Sequence, residues 1–102
     1  MKAPSDRQLE LFVQKTARDS AHVVFTKHAR QRMRQRHIND PMVLEVLRMG
    51  RFALPPEPAM NRVGLMCRMQ RYVAGKEVAV VVSVQYPRDD LTVVTVLDVR
   101  RG

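Results

Sequence analysis

His28, Arg32 and Arg36 recur at four-residue intervals in the stretch Thr26–Ile38. If that stretch is helical, the three share one face with Gln35, because successive residues turn by about 100°. An imidazole that titrates near neutral pH can move a proton, and a guanidinium fork binds phosphate bidentately. Cleavage of RNA by its own 2′-hydroxyl requires a base, an acid and a cation for the charge that builds on phosphorus. His28 fits the acid or base, and Arg32 and Arg36 fit the phosphate clamp; no metal and no cofactor is called for. The structural alternatives are a packed or capping imidazole and a solvated arginine face.

The surrounding residues favour the polyanion. Lys27, Arg30, Arg32, Arg34 and Arg36 place five cations in one segment with two histidines and no carboxylate. Like charges one turn apart destabilise a helix mildly, so the pattern does not serve stability. The chain carries a formal charge of +8 over 102 residues. That balance points to nucleic acid as partner, RNA before DNA, with an acidic protein as the other class that would fit. Cys67 is the single cysteine, which excludes an intramolecular disulfide and cysteine-rich structural zinc and suits a reducing cytoplasm. The three histidines lack a metal-ligand spacing. The start of the chain has no signal-peptide pattern, and the run Val78–Val82 is far too short to span a bilayer.

The elements that must position these residues follow from periodicity and punctuation. The length suits one domain over residues 1–102, with an amphipathic helix inside 1–20 and an α+β core over 23–99. Ser5 and Gln8 form a capping-box pattern ahead of Leu9, Phe12, Val13 and Ala17, predicting a helix over 6–19. His22–Thr26 reads as a strand, with Thr26 capping the basic helix. Asn39-Asp40-Pro41 starts another helix, and Gly50 ends it where a left-handed residue is wanted. Residues 51–54 form a short strand, and Pro55-Pro56-Glu57-Pro58 a stiff exposed loop. A hairpin follows over 63–73 and 77–86, turning at Ala74-Gly75-Lys76, and 91–99 returns as the last strand. The nearly continuous apolar run from Glu77 to Tyr86 predicts a central strand covered on both faces. A helix–turn–helix lies at 27–49, but its second helix is apolar, so it is not read as a DNA reader.

Other candidates lie in the second half. Arg68 and Gln70 alternate outward with Tyr72, and Arg88 follows the next strand beside Tyr86; with Lys27, Arg30 and Arg34, the two arginines are expected to contact phosphate. Thr92 and Thr95 are three apart, which should send them to opposite faces, Thr95 with Leu91, Val93, Leu97 and Val99. Cys67 reads as a buried thiol, and Met49, Met60, Met66 and Met69 as core filling.

The run from Phe25 to Ile38 then resembles a known pattern: threonine, any residue, His-Ala, two residues, Arg-Met, two residues, arginine, any residue, isoleucine. With the Asn39-Asp40 cap, a helix closing at Gly50, an apolar hairpin and Leu91-Thr92-Val93-Val94-Thr95-Val96, it is similar to a bacterial family catalogued as domain of unknown function 4258, over about residues 23–99. That family looks like a distant relative of the RelE and barnase type of ribonuclease fold, common among bacterial toxins. The resemblance implies N-terminal helices packed on an antiparallel sheet of four to five strands, and an RNase-like site built from His28, Arg32, Arg36 and Thr95. An acidic, antitoxin-like protein is the partner implied besides RNA.

Overall fold

The computed structural model of the chain describes residues 4–58 and 64–100. Val63 and Met60, which the sequence places in a strand and in the core, lie outside that set. Three helices precede most of the sheet: α1 (Asp6–Thr16), α2 (Lys27–Arg36) and α3 (Asp40–Met49). A 3-10 turn at Ser20–His22 leads into β1 (Val23–Phe25). Then come β2 (Arg51–Phe52), β3 (Glu57–Pro58), β4 (Leu65–Val73), β5 (Lys76–Val84) and β6 (Leu91–Asp98).

The class is α+β, as the sequence implies, but the sheet is larger and mixed. Its order is β1-β6-β5-β4-β2, with β3 also paired to β4, and β1 runs parallel to β6. Strands joined by tight turns must be antiparallel, and β4, β5 and β6 are. β1 is separated from β6 by most of the chain, so no local pattern sets its direction. The predicted proline loop contributes β3, where Glu57 pairs with Met66 and Pro58 with Leu65. Proline is acceptable there because β3 is a short edge piece.

The two faces of the sheet differ sharply. Cys67, Met69, Val80, Val82, Val93 and Val96 are buried in one cluster with Val13 of α1, Ala29 and Met33 of α2, and Val43 and Leu47 of α3. Register puts those strand residues on a common side. The other side carries Arg68, Gln70 and Tyr72 on β4, Glu77, Ala79, Val81 and Ser83 on β5, and Thr92, Thr95 and Leu97 on β6. None of these residues joins the core. The central strand β5 is therefore covered by helices on one face only. Its second face reads as apolar because Ala79 and Ser83 are small and buried between longer neighbours.

A bulge explains the placement of Thr95. Val81 pairs with Thr95 but Val82 pairs with Val93, so Val94 is the extra residue. One inserted residue inverts the alternation beyond it. Thr92 and Thr95 consequently lie on the same, helix-free side, and Thr95 leaves the face of Leu91 and Val93.

The first helix is fastened to the helical side. Its capping box forms as predicted, and it ends at Thr16 rather than at residue 19; Asp19 instead caps the following turn through Ala21 N–H at 3.0 Å. Glu10, with only 7 % of its side chain exposed, accepts from Arg51 Nε at 2.9 Å and Phe52 N–H at 2.7 Å. Arg7 of the same helix also donates to it. Burial pushes the Glu10 pKa up, but Phe52 N–H, Arg7 and Arg51 outweigh it and hold the carboxyl below its ordinary 4.5. Gln14 Nε2 donates to Gly50 O at 2.8 Å, and Arg48 Nε to Ala17 O at 2.7 Å.

Two further expectations change. Gly50 ends α3 in an extended conformation (φ −79°, ψ 179°), not a left-handed one. Glycine stands there because a Cβ would lie 2.4 Å from Val46 O and 2.8 Å from Gln70 O. Met49 is 56 % exposed and Met66 projects from the helix-free face, so neither fills the core, whereas Met69 does.

Gly50→Ala should cost about 1–3 kcal/mol by forcing α3 away from β4, measured by urea denaturation. Glu10→Gln should cost about 1–3 kcal/mol near neutral pH, because Arg51 and Phe52 lose a charged acceptor. A carboxyl with a lowered folded pKa stabilises fully above its unfolded value and loses that contribution as pH falls through the folded one. The stability gap between wild type and Glu10→Gln should therefore close below about pH 4.5, read from melting temperatures across pH.

Candidate nucleic-acid interface

One residue sets the position of the basic helix. Thr26 N–H donates to Val93 O at 3.1 Å, extending the β1–β6 ladder by one bond. Its Oγ1 accepts from Ala29 N–H at 3.0 Å, capping α2, and donates to Val94 O at 3.1 Å. The bulged residue thus has its carbonyl satisfied by the helix cap. At the far end His37 occupies the C-cap in the left-handed region (φ 55°, ψ 46°), and Ile38 N–H closes on Met33 O at 2.9 Å.

Between these caps the ten residues of α2 sort cleanly. Ala29 and Met33 point into the core. About a quarter-turn to one side, Arg30 packs over the Phe25 ring at 4.0 Å and pairs with Asp40 at the start of α3. On the opposite flank lie His28, Arg32, Gln35 and Arg36. Arg32 Nε faces His28 Nε2 at 3.5 Å, and Arg32 Nη1 donates to Gln35 Oε1 at 3.0 Å. The predicted association of His28 with Arg32 is thus present, with Gln35 bracing the guanidinium. Arg36 follows one turn later and is half-buried. Among the described residues Lys27, Arg32 and Arg34 have no carboxylate within ion-pair distance, while the acids near the sheet pair elsewhere. Glu45 binds Arg71 at 3.1 Å, and Asp98 faces Lys76 at 3.9 Å.

The remaining candidates lie apart from this stripe. Thr95 and Arg68 project from the helix-free side of the sheet, both opposite Val81 on β5. Arg88 sits in the exposed β5–β6 turn, where its Nη1 donates to Gln85 Oε1 at 3.3 Å. Glu77, which the sequence places only at a strand start, faces the helix-free side and accepts from Gln70 Nε2 at 3.2 Å. Period-two alternation would reveal it, were β5 not apolar on both faces. Cys67 is buried, and burial first and Asp6 second push its thiol up to about 12, so it stays protonated at neutral pH. Clefts of about 350 and 390 Å³ lie away from the α2 stripe, one against Glu10 and Arg51 and one against Lys15, Arg18 and Asp89.

A family model described as Domain of unknown function (DUF4258) matches residues 25–98. The chain belongs to that family. The DUF4258 match takes in α2, α3 and the sheet from Phe25 onward and leaves α1 outside, although Leu9 and Val13 of α1 share the same core. No curated protein and no solved structure matches the chain.

The two flanks of α2 should respond differently to truncation. Arg30→Ala removes a cation–π contact and an ion pair and should lower stability by about 1 kcal/mol. Arg32→Ala loses only exposed contacts to His28 and Gln35 and should stay within about 0.5 kcal/mol. Thermal denaturation of the two variants checks this.

Proposed function

We propose that this domain is a small ribonuclease, or an RNase-like toxin domain, that acts on RNA phosphodiesters through α2 without a resident metal. The observation that carries the reading is the contact of His28 Nε2 with Arg32 Nε at 3.5 Å, on a stripe with Arg36 and no carboxylate partner for Arg32. Arg32 turns from His28 and Gln35 onto the scissile phosphate, and Lys27, Arg34 and Arg36 hold the flanking backbone. His28 takes the proton of the 2′-hydroxyl as its oxygen bonds to phosphorus. The bond to the 5′-oxygen breaks, and the imidazolium returns the proton to that oxygen. The products are a 2′,3′-cyclic phosphate and a 5′-hydroxyl, so atoms and charge balance with no co-reactant. The RelE and barnase type of fold, with a cytoplasmic RNA as substrate, belongs to this same reading. Among the described residues no helix is long and apolar enough to cross a membrane.

A non-catalytic nucleic-acid-binding module is the second reading. It is favoured by the exposure of His28, which among the described residues has Arg32 as its side-chain partner and no carboxylate to orient it. An acidic, antitoxin-like protein would compete for the same stripe in either case.

The test is cleavage of a mixed-sequence RNA in EDTA, with binding recorded in the same samples. Wild type should cleave, and His28→Ala should be slower by about 100-fold or more while still binding. Equal cleavage by His28→Ala overturns the role of His28. Binding without cleavage by wild type selects the second reading, and absence of binding overturns both.

A further inference from the structure

The helix-free face of the sheet has a feature that its own neighbours do not explain. Arg68 projects from the centre of that face, and its Nε–H is buried without a hydrogen-bond partner. A guanidinium is always charged, and an unmet buried donor costs about 1–3 kcal/mol. Nearby side chains do not relieve it. Gln70 is drawn toward Glu77, and Arg51, beside Gln70 on β2, is taken by Glu10. Two strands across, Thr92 and Thr95 present hydroxyls on the same side, brought there by the bulge at Val94. Between them β5 offers the short side chains of Ala79, Val81 and Ser83.

We infer that this face is a second phosphate-binding surface, on which Arg68 receives a phosphodiester of a single-stranded RNA. A side-on guanidinium offers Nε–H and one Nη–H together, which matches two phosphate oxygens. The hydroxyls of Thr92 and Thr95 face the strand from β6. Charge selects the occupant: the chain carries +8, and the two carboxylates that register puts on this face, Glu57 opposite Met66 and Glu77 opposite Tyr72, form no ion pair with Arg68 among the described residues. The inference rests on the RNA reading above and extends the binding surface from α2 to the opposite side of the sheet.

The experiment follows the Nε–H resonance of Arg68 by ¹H–¹⁵N correlation NMR, while a short oligoribonucleotide, and separately orthophosphate, is added to the whole chain. The signal is assigned by its loss in Arg68→Lys, and backbone spectra confirm that the variant folds. The Arg68 resonance should shift with RNA at concentrations where orthophosphate leaves it unmoved, and Arg68→Gln should weaken RNA affinity about tenfold. Movement with orthophosphate alone would reduce the site to a simple anion site and overturn the RNA assignment. RNA that shifts α2 but leaves Arg68 and the Arg68→Gln affinity unchanged would overturn this inference while sparing the role of α2. RNA that shifts neither would remove the reading on which it rests.

Discussion

The arrangement depends on Thr26. Its main chain ends the parallel pairing of β1 with β6, its hydroxyl caps α2, and the same hydroxyl donates to the carbonyl of the bulged Val94. Strand direction, helix start and bulge are therefore fixed at one point. An N-cap alone contributes about 1 kcal/mol, but here it also satisfies a carbonyl that the sheet ladder cannot reach. Ala29 and Met33 then set the rotation of the helix about its axis, and Arg30 with Asp40 closes the side facing α3. Lys27, Arg32 and Arg34 lie outside these packing and ion-pair contacts.

This division explains why charge accumulates where it does. A helix with five cations and no acid would repel itself in isolation. The fold meets one of those cations with a carboxylate from the next helix and, among the described residues, gives Lys27, Arg32 and Arg34 none. On the other side of the core, α1 is held through a buried carboxylate that three donors keep ionised. Stability is thus drawn from Glu10 and the apolar core rather than from the outer surface of α2.

Much of this was legible in the chain itself. Ser5, Thr26 and Asn39 announce their helices because capping is local chemistry, and each accepts the backbone N–H expected of it. The grouping of His28, Arg32 and Gln35 follows from helical period alone, and the hairpin at Ala74-Gly75 follows from its turn and alternation. What escaped depends on distant partners. The direction of β1, the pairing of β3 and the fate of Arg30 are set by residues far along the chain. The bulge at Val94 has no local signature among β-branched neighbours, and it moved Thr95 to the face of Thr92. Gly50 marks a helix end in the sequence, but what requires glycine there is the close approach to Gln70 O, not a left-handed backbone. The helix-free face was hidden because β5 is apolar on both sides, so alternation could not separate Glu77, Ala79 and Ser83 from the core.

The salt dependence of RNA affinity tests most directly whether the outer cations of α2 hold a phosphate backbone. Each contact to a single strand should contribute roughly −0.7 to the slope of log affinity against log salt. Four contacts, from Lys27, Arg32, Arg34 and Arg36, predict a slope of about −3. A variant with glutamine at Arg32 and Arg34 should give a shallower slope by about 1.4 units. A flat response in wild type, or an unchanged slope in that variant, would contradict the account.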